Sequence, residues 1–486
     1  MKRISIDPIT RLEGHGKIEI FLDDAGEVAN AYFQVPELRG FEKFCEGRLV
    51  EDMPQITERI CGVCPEAHHM ASVKAVDDVY HVEPTPTGKK LRELLYSAFY
   101  VADHTTHFYI LGGPDFVMGP DADPAVRNIV GVISKVPEVG MEVIKAREMG
   151  HEIIEMIGGR KVHPCGALPG GMSKGLSEED RQRIEEMAKA MLEFAKLTIK
   201  VFDDIVLANK DYVDLILNDI FVHRTYYMGL VDENNKVNFY DGKVRVVDPE
   251  GKEFVKYAPR EYLEHVAEHV EPWSYLKFPY LKKVGWKGLT DGPESGVYRA
   301  TPLSRLNAAD GMATPLAQAE YERMYSTLGG KPVHHTLATH WARIIELLYA
   351  AEYLLELSRD PDVTGPDYRV IPTATPDEGV GIVEAPRGTL THHYITDEHG
   401  VVKKVNLIVG TTNNNAAISM SIKKAAQGLI KGGQEISQGL LNRIEMAFRA
   451  YDPCLACATH SLPGKMPLEV KIYDSQRNLV KVLKRD

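Results

Sequence analysis

Cysteine is scarce in this chain, six among 486 residues, too few for a disulfide framework to carry a protein of this size. No uncharged run approaches the roughly 18 residues that a membrane span needs. The N-terminal Met1-Lys2-Arg3-Ile4-Ser5-Ile6-Asp7-Pro8 reaches Asp7 without the apolar stretch of a signal peptide. The expectation is a cytoplasmic protein with no direct membrane span. Basic residues are outnumbered, 57 against 69 acidic, for a net charge of −12. Proteins that hold a phosphate backbone concentrate Lys and Arg, so nucleic acid is excluded as a partner. No internal repeat, low-complexity tract or long linker interrupts the sequence, and its length allows two or three ordinary domains or one large unit.

The few cysteines are not scattered. Cys61-Gly62-Val63-Cys64 and Cys454-Leu455-Ala456-Cys457 contain four of them, leaving Cys45 and Cys165 as free buried thiols. A Cys-x-x-Cys pair lets two thiolates reach one ion from a single turn, and a four-sulfur set suits zinc, nickel, copper(I) or an iron-sulfur cluster. A small zinc knuckle keeps its pairs within about 20 residues of each other, whereas Cys61 and Cys454 stand 393 positions apart. The ion then sits in the middle of the fold where the two chain ends meet, which favours a single unit. On the four cysteines alone, structural zinc and a reactive metal weigh equally.

Short alternating runs, Ile4 to Ile6, Lys17 to Leu22 and Ala29 to Val35, predict a small antiparallel sheet at the N-terminus. From Thr87 the spacing turns helical: Leu91, Leu94, Leu95, Ala98, Val101 and Ala102 recur at three and four and carry Asp103, His104 and His107 inward. A second long helix starts at Ser177, followed by acids in its first turn. Further helices are expected over about 334–357, 414–430 and 434–449, with strands and loops over 379–409. Residues of about 225–300, rich in Gly, Pro, Lys and aromatics, read as a peripheral insertion. The fold class is therefore mainly α with a small β part, a bundle of long helices with an N-terminal antiparallel sheet.

The residues around the cysteines are more specific than the spacing. Arg59-Ile60-Cys61-Gly62-Val63-Cys64-Pro65-Glu66-Ala67-His68 and Asp452-Pro453-Cys454-Leu455-Ala456-Cys457-Ala458-Thr459-His460 resemble the two signature segments of the large subunit of nickel-iron hydrogenases. Arg11 to His15, Arg39 to Phe44, Asp103 to Tyr109 and Glu384 to Gly388 are similar to further family segments, in the same order. Gly410, where a proline is common, and Asn413, where many members have tryptophan, resemble the cytoplasmic branches linked to pyridine nucleotide or heterodisulfide reductase.

The resemblance implies a catalytic subunit that oxidises or evolves dihydrogen. It implies a nickel ion on Cys61, Cys64, Cys454 and Cys457, with an iron carrying carbon monoxide and cyanide bridged through Cys64 and Cys457. Heterolytic cleavage needs a hydride acceptor and a nearby base: the Cys454 thiolate would be the first proton acceptor and Glu13 the relay. Arg387, after Pro386, would face the open side of the metals, oriented by Asp103 and Asp452. His68 would hydrogen-bond the sulfur of Cys64, Thr411 would donate to a cyanide, and Pro386 and Thr411 would line the cofactor. Glu42, a carbonyl near Leu407 and His460 would hold a magnesium or iron near the C-terminus. Without the resemblance, Glu13 and Asp103 would read as solvated charges, Asp452 as a helix-ending turn and His68 as a core histidine.

With only the four site cysteines available, electrons need another chain. An iron-sulfur small subunit is implied, with further subunits for NAD(P), ferredoxin or a disulfide, and nickel-insertion chaperones and a maturation endopeptidase during assembly. Residues 1–460 are expected as the single hydrogenase domain and 461–486 as a propeptide, with Leu468 to Ile472 and Leu479 to Leu483 forming a hairpin. The competing readings are a hydrogen sensor of the same fold, the quinone-site subunit of respiratory complex I, which retention of four cysteines argues against, and a zinc-stabilised scaffold.

Overall fold

The computed structural model describes residues 2–38, 40–459, 468–473 and 479–485. Strands β1 (Lys2–Ile6), β2 (Lys17–Leu22) and β3 (Val28–Gln34) form an antiparallel sheet in that order. Ile18, Ile20 and Leu22 alternate along β2 and give the sheet a buried face. Helix α1 (Pro65–Val79) starts directly after Cys64, with proline in its first turn where no backbone N–H is needed. Helix α2 (Pro86–Thr106) is capped by Thr85, whose side chain accepts from Gly88 N–H. With α3 (Pro137–Gly158) and α4 (Glu178–Phe202), capped by Ser177, it belongs to the helical centre of the molecule.

The segment expected at the periphery is only partly there. Strands β4 (Tyr226–Val231), β5 (Lys243–Val247) and β6 (Glu253–Tyr257) form one sheet with β9 (Tyr298–Arg299), ordered β9-β4-β5-β6, while β7 (Val266–Val270) pairs with β8 (Lys277–Leu281). β4 and β9 are buried throughout: Tyr226-Tyr227-Met228-Gly229-Leu230-Val231 carries no charge on either face, and Arg299 of β9 donates to the Thr225 and Tyr227 hydroxyls. Helix α5 (Thr339–Ser358) starts later than the expected 334, since His335 is held in an extended pairing with Val222. It packs on α2 and α4, and α2 packs on α3, so Leu91, Leu94 and Leu95 share one apolar core with Ile153, Ile157, Leu347 and Leu354.

Strands β10 (Glu378–Ala385), β11 (Gly388–Thr396) and β12 (Val402–Ile408) form an antiparallel sheet laid against α1. The approach is close: a Cβ at Gly381 would stand 2.0 Å from the Ala71 carbonyl oxygen. Helix α6 (Asn415–Leu429) precedes α7 (Gln438–Arg449), whose Ser437 cap accepts from Leu440 N–H and sets the start four residues past the expected 434. β13 (Leu468–Tyr473) and β14 (Leu479–Arg485) pair antiparallel. Among the described residues no helix is long and apolar enough to cross a membrane. The organisation is the expected α+β class.

Candidate metal centre

The two Cys-x-x-Cys segments meet. Cys61 ends a short 3-10 turn (Glu58–Ile60), Cys64 caps α1, and Cys454 and Cys457 flank and form a single helical turn (Leu455–Ala458) beyond α7. Cys61 Sγ lies 3.4 Å from Cys454 Sγ, and Cys64 Sγ 3.5 Å from Cys457 Sγ. All four sulfurs fall within 4.8 Å of one another and are buried. Backbone N–H groups of Val63 and Cys64 donate to Cys61 Sγ at 3.3 and 3.1 Å. Burial pushes the thiols of Cys454 and Cys457 well above the ordinary value; Cys61 is buried too, but hydrogen bonds from the other sulfurs hold it well below. A soft cation fits this set: it supplies the charge that burial denies to clustered thiolates, and its preference is for sulfur. Cys45 is buried and free as expected, whereas Cys165 is free but partly exposed.

Glu13 is brought to Cys454 by backbone pairing, its carbonyl accepting Leu455 N–H at 3.0 Å. Its Oε2 accepts from Cys454 Sγ at 2.9 Å and from Ala456 N–H at 3.0 Å. Gly14 makes this approach possible: it has φ +86°, and a Cβ there would stand 2.9 Å from Leu455 Cβ. Burial raises the Glu13 carboxyl, assisted by the charge of Cys61.

Arg387 stands between two carboxylates. Its Nη1 donates to Asp103 Oδ2 at 3.1 Å and its Nη2 lies 3.1 Å from Asp452 Oδ2, with all three side chains buried. Arg387 Nε has no hydrogen-bond partner among the described residues. Burial pushes Asp452 up to about 7, against the pull of Arg387. Asp452 itself adopts φ +53°, a left-handed turn between α7 and the cysteine segment.

His68 Nε2 lies 3.5 Å from Cys457 Sγ, the sulfur that stands 3.5 Å from Cys64 Sγ. Thr411 Oγ1 accepts Cys454 N–H at 3.0 Å, so the hydroxyl fixes the cysteine backbone and keeps its own proton to donate. Pro386 is buried beside Arg387. Glu42 is buried next to Leu407, but through the Leu407 N–H, which donates to Glu42 Oε1 at 2.8 Å. Lys277 Nζ sits 3.2 Å from the same carboxylate oxygen and 3.4 Å from Glu268. His460 lies outside the described residues.

A family model described as nickel-dependent hydrogenase matches residues 39–130 and 138–460, and one described as HoxL-like matches residues 3–38. The chain belongs to the nickel-dependent hydrogenase family. It is the catalytic large subunit of a nickel-iron hydrogenase, an oxidoreductase acting on dihydrogen. Over 485 residues it is 50% identical to an F420-non-reducing hydrogenase iron-sulfur subunit of Archaeoglobus profundus, covering 100% of both chains. Identity to the NAD-reducing hydrogenase HoxS subunit beta of Cupriavidus necator is 39%, over 99% of each chain. The fold superposes on an NAD+-reducing [NiFe]-hydrogenase in its H2-reduced state with a TM-score of 0.89 and 37% identity, covering 95% of this chain and 100% of that one.

The hydrogenase chain also contains supports that sequence reasoning missed. Arg305, wholly buried, reaches Glu346 and Glu384 with its guanidinium and donates to the carbonyls of Ala385 at 2.9 Å and Pro386 at 3.2 Å. Asn414 Nδ2 donates to the Arg387 carbonyl at 2.8 Å. Together they clamp the backbone on both sides of the Arg387 side chain. Arg449 donates to Asp115, Asn442 and the Thr10 carbonyl, tying α7 to the N-terminal segment that presents Glu13. A buried arginine on a helix gives no sequence signal beyond its misfit with an apolar stripe.

Proposed function

We propose that, in the cleavage of dihydrogen, Glu13 receives the proton released at Cys454 and passes it outward. The centre, when bound, supplies the redox chemistry; the chain supplies the base, the relay and the wall of the site. The 2.9 Å contact between Cys454 Sγ and Glu13 Oε2 supports the relay best, since it is a ready path for a proton into a carboxyl whose raised pKa favours accepting one. Asp103 and Asp452 hold Arg387 so that its delocalised charge faces the centre, which an ammonium could not match. The Thr411 hydroxyl and Pro386 would line the side of the iron that carries carbon monoxide and cyanide, and Cys64 and Cys457 would be ligands to the iron as well as to the nickel. Glu13→Gln, with nickel and iron content and the exchange of deuterium gas with water measured together, tests the relay: full metal content with wild-type exchange places it elsewhere.

The second cation is assigned to Glu42, the Leu407 backbone and His460. Glu42 and Glu268 outnumber Lys277 there and leave net negative charge for a hard ion. Metal analysis for magnesium tests it. Relatives named as subunits support partner subunits. In this reading an iron-sulfur small subunit takes the electrons, further subunits serve NAD(P), ferredoxin or a disulfide, and the assembly is cytoplasmic. Residues 1–460 are the hydrogenase domain, and 461–486 are removed by an endopeptidase after chaperones deliver nickel. Active enzyme whose intact mass retains Ser461 to Asp486 would overturn the cleavage.

A further inference from the structure

A second line of hydrogen bonds leaves the sulfurs at Cys457. His68 Nε2 lies 3.5 Å from Cys457 Sγ, and His68 Nδ1 lies 3.1 Å from His392 Nε2. His392 Nδ1 is 2.6 Å from Tyr394 Oη, which is 2.8 Å from Ser72 Oγ. Two periodicities build the line. His68 and Ser72 are four apart on α1 and share a helix face, while His392 and Tyr394 are two apart on β11 and share a strand face. The glycines of β10 bring that sheet onto the helix.

The direction of the line follows from its first acceptor. A metal-bound thiolate has no proton, so His68 must present Nε2–H to it. A neutral imidazole carries a single N–H, so His68 Nδ1 accepts from His392 Nε2–H. His392 Nδ1 in turn accepts the phenol proton of Tyr394, whose oxygen is left to accept from Ser72. Thr57 also lies within reach of the phenol, but its hydroxyl donates to the Met53 carbonyl at 2.7 Å, and the imidazole nitrogen is the more basic acceptor. Every donor therefore points toward Cys457. His68, His392, Tyr394, Ser72 and Thr57 are all 0% exposed, so among the described residues this line has no exposed member from which to deliver a proton.

We propose that Tyr394, backed by Ser72, is a positioning residue whose O–H strengthens the hydrogen bond that His392 and His68 carry to the Cys457 sulfur and so sets how strongly the Cys457 thiolate donates electrons to its metals. This rests on the reading of Cys457 as a bridging ligand to an iron with diatomic ligands. Because hydrogen bonds in series polarise one another, a change at Tyr394 is felt at the sulfur two imidazoles away.

The test is infrared spectroscopy of the metal-loaded holoenzyme. Tyr394→Phe removes the terminal donor; the thiolate still holds both tautomers, but the hydrogen bond to the sulfur weakens and the carbon monoxide band moves to lower wavenumber at unchanged nickel and iron content. Replacing Tyr394 by 3-fluorotyrosine strengthens the donor and moves the band the opposite way. Ser72→Ala gives a smaller downward shift. Bands at wild-type positions in both Tyr394 variants overturn the proposal; if Tyr394→Phe fails to load metal, the fluorotyrosine protein decides alone. Should the wild-type enzyme lack diatomic bands, the ligand reading itself fails. The line is then read from imidazole nitrogen-15 shifts, where protonation of His68 at Nδ1 in place of Nε2 overturns it.

Discussion

Cys454 and Cys457 share one turn of helix, yet their surroundings differ. The Cys454 sulfur touches Glu13, a partly exposed carboxyl held by backbone contacts and next to the exposed His15. The Cys457 sulfur touches His68, the start of a line whose members are all buried. A group that moves protons needs contact with water and a pKa shifted toward the working range. A group that tunes a sulfur needs the reverse, exclusion of water and a fixed orientation. The open and closed sides of one metal site meet these two needs separately.

The largest effect should come from the feature both sides share. Cys61→Ser or Cys457→Ser removes a soft ligand, and the purified protein should lose nickel and all dihydrogen turnover; near-stoichiometric nickel in either variant would show that the four sulfurs do not act as one set. Glu13→Gln should slow deuterium exchange by about 10²–10⁴-fold with the metals retained. This separates the open side from the closed one, because His392→Gln should leave proton exit intact. Arg387→Lys should reduce turnover by about 10²–10³-fold, read as kcat at full metal content, since a single ammonium cannot reach both Asp103 and Asp452.

Smaller effects probe stability. On the closed side, burial lowers His69 to about 4 from its ordinary 6.5; it is neutral, with Nδ1–H toward the Pro54 carbonyl and Nε2 accepting from Ala167 N–H. The unfolded imidazole titrates near 6.5 and the folded one near 4. Its contribution is therefore complete above pH 6.5 and is lost as pH falls toward 4, at about 1.4 kcal/mol per pH unit. Thermal unfolding of His69→Gln beside wild type should show a shallower acid slope, and parallel slopes would remove His69 from the account. On the open side, Gly14→Ala combines a positive φ with a 2.9 Å approach to Leu455, and should cost about 1–3 kcal/mol in denaturant unfolding. An unchanged midpoint would mean that the segment shifts freely.

Much of the open side was legible in the sequence because its residues lie in short contiguous motifs: Glu13 beside Gly14, Cys454 beside Asp452. The helical period of Leu91, Leu94 and Leu95 likewise marked α2, whose last turns bury Asp103 and His104, with His107 buried just past its end. The closed side was not legible. His392 and Tyr394 form one face of a strand, but nothing local says that the face meets His68 and Ser72 on α1, 324 and 322 positions away. The same limit hid Arg305, whose carboxylate partners come from two other elements, and turned β4 and β9 into an expected surface insertion. Spacing reports which residues share a face; it does not report what that face meets.

Joining Cys61 to Cys454 has a consequence in time. The two halves of the ligand set are separated by 393 positions, so during synthesis the first pair waits while that whole span is made. A cross-link over that span restricts the unfolded chain by about 6 kcal/mol on a loop-entropy scale, a stabilisation that no partial chain can have. An ion held by both pairs would tie the two distant segments together, and its arrival would distinguish a loaded chain from one that has merely folded.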